Sequence, residues 1–443
     1  MKGKFPIVQF ECPSDAKSVF LDILKNHVYD LTSIPKCVEH IKFGDQFNQP
    51  IERNVLPTRL QSIIFGYHFN QPIDKDVLSA GLQEIIFGYC YDQPIEKGVL
   101  PSTLLSIEFG NHFNQSIEKN VLPDKLKSLK FGTNYNQPIE KGVLPSDLHS
   151  IKFGEFFDKS IKNVLPTGLK SLEFDSNYNQ PIDKNVLPAG LQLIKFGWRF
   201  NQPIEENILP AGLQSIKFGY CFNQPIEENV LPVELQTIEF GDNFNQKIKK
   251  NVLPSGLHSI EFGVNFNQKI KKNVLPSGLH SILFGRKFNQ KIKKNVLPAD
   301  LQSIRFGNDF NQPIGKNVLS SGLQSIYFGE YFNQSLDNIP DKTKLYISNI
   351  SSITNITCNY TFYHYVKSTL DIIKKVNLGE IYTSEIHNHH YYMIDVEITK
   401  PELDKEKIRE LIHQLFDVEI IKPEINKEKI KELIHQLKIE LQF

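Results

Sequence analysis

The chain has no net charge, no long apolar run and few cysteines, and each shortage excludes something. Across 443 residues, 50 Lys and Arg balance 50 Asp and Glu, unlike the strongly basic composition of a general nucleic-acid binder. No run of roughly 18 apolar residues occurs, so no helical membrane span is expected. The opening MKGKFPIVQFECPSD lacks the apolar stretch and small-residue cleavage site of a secretory signal. The five cysteines, Cys12, Cys37, Cys90, Cys221 and Cys358, are odd in number, far apart and without CxxC spacing. That argues against a disulfide framework or zinc site and makes the reducing cytoplasm the expected location. GxSxG, a phosphate loop, HExxH and a Cys–His signature are all missing. A non-enzymatic protein without metal or cofactor is therefore expected.

What is present is a repeat. The aromatic of the phrase FNQPI falls at 47, 69, 91, 113, 135, 157, 178, 200, 222, 244, 266, 288, 310 and 332, every 22 residues except for one interval of 21. Such a period marks a stacked repeat architecture. Within a unit, Ile63 and Phe65 stand two apart, as inward residues of a short strand do. Pro and Gly at fixed offsets leave no room for a helix of ordinary length. The apolar set Leu60, Ile63, Phe65, Phe69, Ile73, Val77 and Leu78 cannot be buried by one coil, so coils must stack. The expected fold is a mainly β solenoid with one parallel sheet, its strands about 4.8 Å apart.

Three polar columns read as framework. The glycine after the strand gives way once, to Asp175, and the residue before Val-Leu-Pro is Asn, Asp76, Gly98 or Gly142. Both columns accept only residues that tolerate positive φ, so both are expected to be turns. The Asn of FNQ is replaced only by Asp92 and Asp158. Its shared acceptor oxygen is expected to cap backbone N–H groups of the turn. The 21-residue interval lacks one residue between Ile161 and Asn163, a solvated loop position that should leave inward residues in register.

The phrases FNQPIERNVLP (47–57) and FNQPIEENVLP (222–232), with their siblings over 34–347, resemble the FNIP repeat family. The resemblance implies a curved, leucine-rich-repeat-like solenoid without catalytic activity, whose presumed role is protein binding. Some members carry an F-box, which would imply a ubiquitin-ligase substrate adaptor. Residues 1–33 are short for one and lack its Leu-Pro opening. They read instead as a cap, a strand near 7–10 followed by a helix over about 15–28.

Function is expected in positions the framework leaves variable. One column is the outward strand residue, from Lys42, Ile64 and Ile86 to Arg305 and Tyr327. On the family's curvature it lines the concave face. Beside it lies the pair after the glycine. Aromatics and Arg dominate binding hot spots, which singles out Ile64, Tyr67, Ile86 and Tyr89, and then Lys195, Trp198, Arg199, Lys217 and Tyr220. A second column is charged. Glu205-Glu206 and Glu227-Glu228 precede Lys249-Lys250, Lys271-Lys272 and Lys293-Lys294, with Lys247, Lys269 and Lys291 in place of Pro. These nine lysines form a candidate patch for a polyanion or acidic partner. Copying of one unit, with the lysines solvated, is the preferred reading, since it explains the near identity of neighbouring units without any ligand. Nucleic acid is the less favoured ligand because no aromatics interleave the lysines. The partner expected is a protein, bound by a monomer or weak oligomer.

Past 347 the period is lost. Residues 350–365 read as strand and 366–376 as an amphipathic helix. Segments 395–416 and 417–438 are a strand–helix duplication. Apolar residues in each copy fall at helical spacing, so 348–443 is expected to be a small α/β region. His387, His389 and His390 cluster without metal-site geometry.

Overall fold

The computed structural model describes residues 7–8, 17–21, 28–340, 342–348, 361–367, 383–386 and 389–397. Two compact units, Met1–Gly241 and Asp242–Phe443, each carry the repeat, a division the 22-residue period does not mark.

Each coil contributes one strand, most of them three residues long with a single buried centre, as in Ser62–Ile64, Ser128–Lys130 and Ser281–Leu283. Successive strands pair in parallel with a shift of one coil, Ile63 opposite Ile85 and Ile85 opposite Ile107. The short coil keeps this register, with Ser150 opposite Ser171. The whole apolar set of the repeat is buried, Leu60, Ile63 and Phe69 completely. One consequence of the missing residue does reach the interior. Leu165 is half-buried, whereas its counterparts Leu144 and Leu187 belong to the core.

Aromatic rings stack from coil to coil in two columns. Next to the strands, Phe87–Phe109 and Phe109–Phe131 are 5.4 and 5.5 Å apart. In the second column, stacked against the first with Phe109–Phe113 at 4.0 Å, Tyr91–Phe113 and Phe113–Tyr135 are 6.3 and 6.0 Å apart. Within Met1–Gly241 these coils therefore lie closer together at the sheet than behind it.

The two turn columns have different causes. Residues before Val-Leu-Pro do hold the left-handed conformation: Asn54 at φ 61°, Asp76 at 65°, Gly98 at 84° and Gly142 at 82°. The glycine after the strand does not, which corrects the positive-φ expectation. A Cβ on Gly66 would sit 1.8 Å from the carbonyl oxygen of Gly44, and on Gly219 1.7 Å from that of Gly197. This glycine lets the backbones of stacked coils approach.

The FNQ asparagine does cap an N–H, but that of the next coil. Asn48 Oδ1 accepts from the Asn70 N–H at 2.9 Å and from Gln71 Nε2 at 3.1 Å. Asn201 serves Asn223 and Gln224 in the same way. Asp92 and Asp158 substitute by offering the same oxygen to Asn114 and Asn179. The FNQ glutamine is thus a second rung of this ladder, a role its sequence column does not suggest.

The N-terminal segment departs from expectation. In place of a helix over 15–28, Ser18–Leu21 forms a strand parallel to His40–Phe43, with Ser18 opposite His40. That offset is again 22 residues, so the repeat register begins one coil earlier than the FNQ phrase reveals. The exposed edge of His40–Phe43 offers ladder hydrogen bonds that a helix would leave unmade. Ile7–Val8 pairs in parallel with Val28–Tyr29.

In Asp242–Phe443 the parallel ladder runs on to Lys344–Ile347 and then to Thr361–Lys367. The strand Thr361–Lys367 therefore extends the repeat sheet, and it occupies residues 366–367 where a helix was expected to start. It pairs antiparallel with His389–Glu397, which also pairs with Thr383–Ile386. His389 and His390 open that strand. The expected helices beyond 403 and residues 387–388 lie outside the described residues.

Candidate functional site

Because one strand face is committed to the core, the opposite face is free to vary, and the candidate residues lie there. Ile64 stands opposite Ile86, both half-buried. One loop position further on, the Tyr67 and Tyr89 rings stack at 4.6 Å and 5°. Their neighbours are His68, edge-on to Tyr67, and His112, tilted against Tyr89. The Tyr67 phenol is held above its ordinary pKa, first by desolvation and then by Tyr89 and Cys90.

The second cluster repeats this plan with charge added. Trp198 and Tyr220 stack at 4.1 Å and 4°, and the indole is 54% exposed. Lys195 stands opposite Lys217 on the adjoining strands. Lys217 is ion-paired with Glu239. Its counterparts Lys130 and Lys152 reach Glu108 at 2.5 Å and Glu173 at 3.9 Å. Lys195 and Arg199 have no ion pair among the described residues. The strands from Ser106–Glu108 to Ser171–Glu173 lie between the two strand pairs, so these are two sites on one unit.

Sequence reasoning missed two members of this face. Leu193 occupies a half-buried position that is Ser in the neighbouring strands Ser171–Glu173 and Ser215–Lys217. In Asp242–Phe443, Tyr327 and Tyr346 stack at 4.0 Å, with the Arg305 guanidinium 5.7 Å from the Tyr327 ring centre. The signal for Tyr346 was hidden, because the last coil is shorter and shifts it out of the 22-residue count.

All nine lysines of the candidate patch are exposed: Lys247, Lys249, Lys250, Lys269, Lys271, Lys272, Lys291, Lys293 and Lys294. Lys316 continues one of the columns and is exposed too. No group of His, Cys, Asp and Glu able to hold a metal ion is found among the described residues. No helix among them is long and apolar enough to cross a membrane.

Short parallel strands, one-residue left-handed turns and coil-to-coil side-chain ladders define a leucine-rich-repeat-like β-solenoid. The chain belongs to the FNIP repeat family, whose model matches residues 26–68, 69–112, 113–156, 157–197, 178–221, 222–265, 266–309 and 310–348. Among solved structures it is similar to CroV588, described as a novel circular LRR protein. The two are 38% identical with a TM-score of 0.68, over 79% of this chain and 59% of that one. This chain therefore spans about three fifths of that protein's length. No protein of curated function matches.

Proposed function

We propose that the protein is a non-enzymatic interaction scaffold that holds a protein partner on the sheet face of its coils. The observation that carries this reading is the Trp198–Tyr220 stack, in which the indole is exposed and Tyr220 half-buried at positions that neither the core nor the turns require. Tyr and Trp with a nearby Arg are the side chains that contribute most at protein interfaces. Lys195, Arg199 and Lys217 surround this anchor, and Ile64, Tyr67, Ile86 and Tyr89 form a second one. The closer coil spacing at the sheet supports a concave binding surface. The cytoplasm suits such a protein, because thiols outside any disulfide, such as Cys90 and Cys221, stay reduced there.

The test is partner capture by the full chain in cells, compared with a Trp198→Ala/Tyr220→Ala variant. Partners lost in the variant, at low and moderate salt alike, are the expected result. Unchanged partners would sink the reading.

The lysine patch favours a second reading, binding of a polyanion, because nine exposed like charges in stacked columns repel one another and gain from a neutralising ligand. An adaptor role in a ubiquitin ligase has less support, since Ser18–Leu21 is built into the sheet. Deleting residues 1–33 without loss of any partner would exclude it.

A further inference from the structure

We infer that the open face of Trp198 is an insertion slot for one aromatic side chain carried on an acidic segment of the partner. The inference rests on the sheet-face reading above and adds the partner's chemistry.

The Tyr67–Tyr89 and Trp198–Tyr220 rings stack along the coil direction, so each such ring faces one coil above and one below. Tyr220 covers one face of the indole. The coil on the other side presents Ser176, fixed next to it by the Arg199 N–H bond to the Ser176 carbonyl at 2.8 Å. A serine cannot cover an indole, and its hydroxyl is turned aside, donating to Asp175 Oδ1 at 2.9 Å. Trp198 is accordingly more exposed than Tyr67, Tyr89, Phe156 or Tyr331. A planar ring entering over Ser176 would continue a ladder that the fold already builds at this spacing.

Charge selects what accompanies the ring. Along the strand column, Lys152 is paired with Glu173 and Lys217 with Glu239. Lys195 lies between them without a counter-ion, and Arg199 is exposed beside the indole. Lys195, with Glu173 opposite it on one adjoining strand and Lys217 on the other, and Arg199 make no ion pair among the described residues, and two such cations suit carboxylates beside an inserted aromatic residue. The Tyr67–Tyr89 stack lacks this feature, since the strand residues beside it are Ile64 and Ile86 rather than lysines.

Trp198 is the one tryptophan of the chain, so its fluorescence reports the slot directly. The full chain is titrated with three synthetic peptides: Phe flanked by Asp and Glu, Ala in the same acidic frame, and Phe flanked by Lys. The acidic Phe peptide is expected to change Trp198 emission saturably and to bind about tenfold or more tighter than the other two. Ser176→Phe should fill the slot and remove that preference. The fold should tolerate it, because Tyr67, Tyr89, Trp198 and Tyr220 already occupy this column. A Lys195→Glu/Arg199→Glu variant should prefer the Lys-flanked peptide. No saturable response, equal binding of the acidic Phe and Ala peptides, or undiminished binding by Ser176→Phe would each overturn the slot. Loss of cellular partners in Trp198→Ala/Tyr220→Ala would in those cases leave the sheet-face reading standing.

Discussion

Glycine and asparagine recur at fixed positions of most coils, yet one is needed for space and the other for backbone conformation. Gly219 has no room for a Cβ against the Gly197 carbonyl, whereas nothing lies within 4 Å of a Cβ on Gly142. Gly219→Ala should therefore cost roughly 3 kcal/mol or more, because two backbones would have to separate. Gly142→Asn should be neutral or stabilise by up to about 1 kcal/mol, since Asn120 and Asn163 hold the same conformation. Denaturant melts of the two variants test the contrast. Three tyrosines make a second case. Tyr91, Tyr135 and Tyr178 replace Phe in the inner column, and their buried hydroxyls have no hydrogen-bond partner. Burial raises all three phenols well above the ordinary value of 10.0. Each Tyr→Phe change should stabilise by about 1 kcal/mol, the order of the desolvation penalty removed. The linkage has a definite sign. Above pH 10.0 the unfolded phenol ionises while the folded one stays protonated, so wild-type stability falls as pH rises. The triple Phe variant should lose the part of that alkaline decline due to these groups, measured by melts at neutral and alkaline pH.

A strand of three residues makes few ladder bonds, and turn backbone bonds such as His68 N–H to the Asp45 carbonyl at 2.9 Å add to them together with the side-chain ladder. Asn201 Oδ1 accepts from the Asn223 N–H at 2.9 Å and from Gln224 Nε2 at 3.2 Å. Asn201→Ala should destabilise by about 1–3 kcal/mol, since it leaves part-buried donors unpaired. Asn201→Asp should cost well under that, because Asp92 and Asp158 already do this job; thermal melts of both variants decide. The Asn column could be read as a cap because its two substitutes share an acceptor oxygen. The direction of the cap could not, since it joins residues 22 apart. The segment 15–28 shows the opposite limit. Its local pattern suits a helix, but the open edge of His40–Phe43 takes Ser18–Leu21 as a strand, and tertiary pairing overrides the local preference.

Over the whole molecule, the net charge of zero hides a strong segregation, with acids at Glu205, Glu206, Glu227 and Glu228 and lysines at Lys247–Lys294. Repeat proteins are held by nearest-neighbour contacts, so a charged column on one set of coils can be altered without disturbing distant ones. If the lysine face binds an anionic chain, affinity for heparin should fall steeply between low and moderate salt. Lys271→Glu/Lys293→Glu should weaken it further and flatten the salt dependence. Ion-exchange retention and anisotropy titrations check both, and the Trp198 site should not respond to the lysine substitutions.

The sequence by itself determined the period, the buried set, the left-handed turns and the family, because these rest on local residue types copied coil after coil. The candidate columns were legible for the same reason, as positions where copying relaxed. Only the tertiary structure decided why the post-strand glycine is required, which rings touch, and that Lys217 has a partner while Lys195 has none. Each of those depends on how closely one coil lies on the next, a distance of a few ångströms between residues 22 apart that no single coil's sequence contains.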